Sequence, residues 1–176
     1  MYKDNSLIPS ESIRLAALGI LAQTPRPYAQ LASEVRHFSG RIVGPSLDLM
    51  GPSLELLRVE GLVEADGAGD NAVLRITDAG RAELRRLLTA NLRGPIGEMN
   101  KLIIALKMRF LHLLDRADQQ MQAEILIDVC EQELARLTDL RRHHADEPGH
   151  LIPWLDHDIA EVEGRLAWFR ALYDRL

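Results

Sequence analysis

Apolar residues in the first third of the chain recur at helical spacing and are broken by short stretches rich in proline, glycine and serine. Ile13, Ala17, Ile20 and Leu21 make one face of a helix that runs to about Ala22, with Ser10 or Ser12 as its N-cap. Thr24-Pro25-Arg26-Pro27 ends it. Leu31, Ala32 and Val35 predict a second helix from Tyr28 to Phe38, stopped by Ser39-Gly40. Leu47, Met50, Leu54 and Leu57 predict a third, capped by Ser46 and closed at Glu60-Gly61. The period then shortens. Leu62-Val63-Glu64-Ala65 and Ala72-Val73-Leu74-Arg75-Ile76 read as two strands joined by a polar, glycine-bearing tip, which makes a hairpin. Thr77 caps a helix from Asp78 to about Leu92.

Arg93-Gly94-Pro95 interrupts the chain, and the remaining residues are almost purely helical in pattern. Ile96, Met99, Ile103, Leu106, Phe110 and Leu113 alternate steps of three and four. A second helix runs from about Asp118 to His143. A third begins near Trp154 and carries Leu155, Ile159, Val162, Leu166, Phe169, Tyr173 and Leu176 at the same steps. The expected fold is therefore mainly α with a small β-hairpin. An N-terminal winged helix-turn-helix occupies residues 1–92, and a three-helix lobe occupies 93–176. A lobe of that size cannot hide so many apolar faces alone. Burial against a second copy gains roughly 25 cal/mol per Å², so homodimerisation is expected through Ile103, Leu106, Phe110, Ile159, Val162, Leu166, Trp168 and Phe169.

Composition adds limits. The 176 residues are 47% hydrophobic and 27% charged, which suits a folded chain with a real core rather than a disordered one. The longest apolar run, Leu102 to Leu106, is far short of the roughly 20 residues that span a bilayer. No basic segment leads an apolar one at the N-terminus, and the single cysteine, Cys130, cannot form an internal disulfide; a cytoplasmic setting is expected. Cys130 lies in an apolar stretch and reads as a structural thiol. The histidines match no zinc spacing, and no phosphate loop, dinucleotide fingerprint or nucleophile elbow is present. Neither an enzyme nor a cofactor or metal protein is indicated.

The formal charge of −5 is spread over both halves, so DNA binding has to rest on local geometry. In a helix-turn-helix the third helix enters the major groove with its N-terminal part nearest the bases. That segment, about Ser46 to Glu60, presents Ser46, Asp48 and Ser53. Serine hydroxyls donate to base edges or phosphates, and a carboxylate accepts from a cytosine amino group. Arg36 and Arg41 near the turn, Arg75 on the wing strand and Tyr28 at the start of helix 2 complete the candidate DNA contacts, with Arg14 and Arg26 as further cations.

With these elements placed, the chain resembles the PadR family of bacterial transcriptional regulators, most closely its AphA-like branch. Pro52, Leu54, Leu57, Glu60, Gly61 and Leu62 fall in that family's register, Arg75-Ile76-Thr77-Asp78-Ala79-Gly80 resembles its post-wing segment, and Leu155-Asp156-His157 through Trp168-Phe169 resembles its final helix. The resemblance implies a homodimeric regulator of promoter DNA. For some members it also implies a small aromatic effector, a role for which Trp154, Trp168, Phe169 and Tyr173 are the candidates. The sequence departs from the pattern at Gly51, at Glu55-Leu56, at Ala29 and in a wing tip with two aspartates and no cation. The alternative reading is an interaction or ligand-sensing dimer on the same scaffold, with weakened or lost DNA binding.

Overall fold

The structure, a computed structural model, describes residues 6–44, 50–67, 69 and 72–176, with the side chains of residues 50–53 outside the description. Among the described residues no helix is long and apolar enough to cross a membrane.

The first unit holds residues up to Asn91 together with Ile96–Leu114. Its centre is α1 (Pro9–Gln23), apolar on all sides: Ile13, Leu15, Ala16, Ala17, Leu18, Ile20 and Leu21 are buried. A helix hydrophobic all round must be enclosed, and α2 (Tyr28–Val43), α3 (Met50–Val59), α4 (Asp78–Leu88) and α5 (Glu98–Phe110) all pack on it. Neither expected serine caps α1. The Ile8 amide instead donates to the Glu11 carboxylate at 3.1 Å, and Ser12 is buried. Ser39-Gly40 does not stop α2. The helix continues to Gly44, whose φ of +82° ends it. The residue that terminates the helix is thus the one that reaches the left-handed region without steric cost.

The hairpin is present as β2 (Val63–Asp66) and β3 (Val73–Ile76), antiparallel, with Glu64 opposite Arg75 and Ala65 opposite Leu74. The sheet also has a third strand that the sequence pattern does not reveal: β1 (Arg26–Pro27) pairs with β3, so the sheet order is β1-β3-β2. Two residues carry no period, and the prolines that mark a break are compatible with a sheet edge. Thr77 caps α4 as expected, accepting from the Gly80 amide at 3.1 Å, but the helix ends at Leu88.

The largest departure concerns α5. Its apolar seam is expected in the C-terminal lobe, yet α5 packs on α1 and α2 of the first unit. A long-range close fit accompanies this packing: Gly19 of α1 lies against the Phe110 ring, where an added Cβ would stand 2.6 Å from ring carbons. Ile103, Leu106 and Phe110, expected as dimer contacts, are 0–1% exposed there and lie in the protomer's own core.

The second unit comprises Leu92–Pro95 and Asp115–Leu176. Asp115 caps α6 (Arg116–His143) by accepting from the Asp118 amide at 2.9 Å. α7 (Leu151–Arg175) folds back antiparallel along α6. Arg170 meets Glu131 at 2.7 Å, Arg165 meets Glu133 at 3.5 Å and Arg141 meets Asp156, pairs that mark the antiparallel register of the two helices. Val162, Leu166 and Phe169 are buried in this hairpin of helices, so of the expected dimer contacts only half-buried Ile159 and half-exposed Trp168 remain on its surface.

Candidate nucleic-acid interface

The candidate interface lies wholly within the first unit, on α2, α3 and the hairpin. Backbone and side-chain bonds fix α3, the hairpin and α4 together. The Leu62 amide donates to the Leu57 carbonyl at 2.9 Å, so the chain leaves α3 directly into β2. The Thr77 hydroxyl donates to the Gly61 carbonyl at 2.7 Å while its oxygen caps α4. Gly80 then packs onto the strand entry so tightly that a Cβ would fall 2.1 Å from the Leu62 carbonyl oxygen. Only glycine allows that approach.

Tyr28, the first residue of α2, is half-exposed and its hydroxyl bonds to Glu55 of α3. Partial burial, and then the Glu55 carboxylate, hold its phenol above the ordinary value, while the nearby Arg36 charge works the other way. Arg36 and Arg41 are exposed, and among the described residues neither forms an ion pair. Five residues apart on a helix of 3.6 per turn, they diverge by about 140° and do not converge on one spot. Arg75 is half-exposed on the outer face of the hairpin and bound to Asp66 at 3.2 Å. Ser46 and Asp48 lie outside the described residues. Ser53 falls on α3, with its side chain outside the description.

The two further cations are engaged elsewhere. Arg14 pairs with Glu60 at 2.9 Å and Glu83 at 3.3 Å, joining α1 to α4. Arg26 and Arg109 both donate to Glu34, and the Arg109 guanidinium stands 4.8 Å from the Phe38 ring centroid. These are struts of the core. Arg58 is a residue that sequence reasoning misses: it is exposed on α3, without an ion pair among the described residues, at the edge of a cleft of about 410 Å³. Tyr28, Glu55 and Arg58 form the cleft's polar rim, and Leu54, Val63 and Leu74 its apolar floor. Its position one turn after Glu55 is the signal in the sequence that could have found it.

In the second unit Cys130 is fully buried, and desolvation pushes its thiol up, which disfavours the thiolate. Trp154 and Trp168 are about half-exposed, and Phe169, edge-on to Trp168, is buried. Among the described residues no cluster of potential ligands could hold a metal ion.

The chain matches the family model for the AphA-like transcriptional regulator over residues 2–173. No curated protein matches it. Among solved structures it is similar to Bacillus subtilis PadR (16% identity, 96% of each chain covered, TM-score 0.42) and to the PadR-like transcriptional regulator BC1756 from Bacillus cereus (17%, 93% of this chain and 96% of that one, TM-score 0.39). It is also similar to Bacillus subtilis PadR in complex with operator DNA (17%, 93% and 98%, TM-score 0.39).

Proposed function

The chain belongs to the family of AphA-like transcriptional regulators, and from that premise we propose that it acts as a homodimer on promoter DNA. The recognition helix, about Ser46 to Glu60, lies in the major groove, α2 crosses the phosphate backbone and the β2–β3 hairpin is the wing. The observation that carries this reading is that guanidinium groups on α2 and α3 are exposed and, among the described residues, unpaired, although Arg36 and Arg41 face different sides of α2 and reach phosphates separately rather than as one patch. Arg36, Arg41 and Arg58 are free of ion pairs among the described residues, whereas Arg14, Arg26 and Arg109 of the core are all paired. Such groups supply the phosphate contacts that account for much of protein–DNA affinity.

Dimerisation through α6 and α7 is supported by the apolar surface these helices leave uncovered. Met121, Leu140, Trp154 and Trp168 are 42–57% exposed in the protomer. Large aromatic groups at that exposure are typical anchors of protein interfaces. Two recognition helices then meet half-sites about one helical turn, roughly 34 Å, apart.

A second reading, an interaction or ligand-sensing dimer with reduced DNA affinity, is favoured by one specific observation: Glu55 holds Tyr28 and Asp66 holds Arg75. Fluorescence anisotropy against labelled promoter duplexes over a salt series separates the two. The regulator reading expects saturable binding that weakens steeply with salt. Arg36→Ala and Arg41→Ala each lower the affinity and reduce the salt slope by about one. A folded dimer that binds no duplex at low salt supports the second reading.

A further inference from the structure

The outer face of the hairpin carries more negative than positive charge. Antiparallel pairing puts Glu64 directly opposite Arg75, and Asp66 is two residues further along β2 on the same face. Arg75 reaches diagonally to Asp66, with both Nε and an Nη of its guanidinium 3.2 Å from the same carboxylate oxygen. The only described cation on this face is therefore engaged and flanked by a second carboxylate. Both partners are at least half exposed, so the pair adds little to fold stability. Its consequence is electrostatic. A phosphate that takes Arg75 must displace Asp66, and it then sits beside two carboxylates.

We propose that Asp66 is a specificity-determining residue: by holding Arg75 on the outer face of the wing, it withholds the hairpin's cation from generic duplex backbone. This inference rests on the DNA-binding reading. Without it, the wing would attach to any phosphate pair and raise binding to all sequences alike. With it, the wing contributes only where the recognition helix has already seated the protein, because only then is Arg75 held against one phosphate long enough for the exchange to be favoured.

The test uses the full-length protein and a labelled duplex of arbitrary sequence, titrated by anisotropy from low to physiological salt. Asp66→Asn keeps the side-chain size and removes the charge. It is expected to tighten generic binding about three- to tenfold and to steepen the log–log salt slope by about one, as one added phosphate contact does. The double variant Asp66→Asn/Arg75→Gln loses the gain and binds generic duplex no more tightly than the wild type. Circular dichroism confirms that each variant is folded. A gain that survives in the double variant overturns the proposal, since it would then be bulk charge and not release of Arg75. So does wild-type binding that Asp66→Asn leaves unchanged. Failure of the underlying reading looks different: no duplex, promoter or generic, is bound by the wild type or by Asp66→Asn.

Discussion

The Lys107 ammonium group donates to the Leu88 carbonyl oxygen at 2.6 Å, and to that of Ala90 at 2.7 Å. Leu88 is the last residue of α4, so its carbonyl is one of those the helix leaves unpaired. Lys107 is 0% exposed, and through it α5 closes the end of α4.

That enclosure has a pH signature. Burial pushes the Lys107 amine from its ordinary 10.5 down to about 7. The unfolded chain therefore binds more protons than the folded one between pH 7 and 10.5, and stability contributed at this site rises with pH across that window. Lys107→Met removes the titration while keeping the length of the side chain. In urea unfolding, the stability of wild type relative to Lys107→Met should increase from about pH 7 to about pH 9.5, by about 1–3 kcal/mol. A difference that stays flat or falls would show that Lys107 titrates at its ordinary value.

Two glycines should respond in opposite directions. Gly80→Ala drives a methyl group into the Leu62 carbonyl and should cost about 1–3 kcal/mol, lowering the thermal midpoint and shifting the hairpin. Gly164 sits inside α7, where nothing lies within 4 Å of an added Cβ. Gly164→Ala should stabilise by up to about 1 kcal/mol through helix propensity. Differential scanning calorimetry on the pair reads both signs.

Trp168 is half-exposed on α7, and its loss should act on association more than on folding. Trp168→Asp is expected to keep the helical circular dichroism signal and to weaken dimerisation at least tenfold, about 1.4 kcal/mol or more, by sedimentation analysis. Loss of helicity together with the dimer would mean that Trp168 serves the protomer's own packing.

Much of the fold is legible in the sequence because its signals are local. The Thr77 cap, the change of period at Gly61 and the apolar repeat of α7 each depend on neighbours a few residues away. The membership of α5 is not, because a heptad-like seam shows only that a face is apolar, not what covers it. The close contact between Gly19 and Phe110 that accompanies it joins residues far apart in sequence. The site is legible by region and not by partner. The positions of Arg36, Arg41 and Arg75 can be anticipated from the motif. That Arg14 and Arg26 serve the core, and that Asp66 occupies Arg75, depends on which carboxylates folding brings near.

A dimer that presents two winged helices to duplex DNA should leave a paired footprint. Hydroxyl-radical footprinting on a promoter duplex selected from the protein's own genome tests this most directly. Two protected segments are expected on one face of the duplex, centred about one helical turn apart, roughly 34 Å. A single unpaired footprint would contradict the dimeric arrangement, and an unprotected duplex at low salt with folded protein in excess would contradict DNA recognition itself.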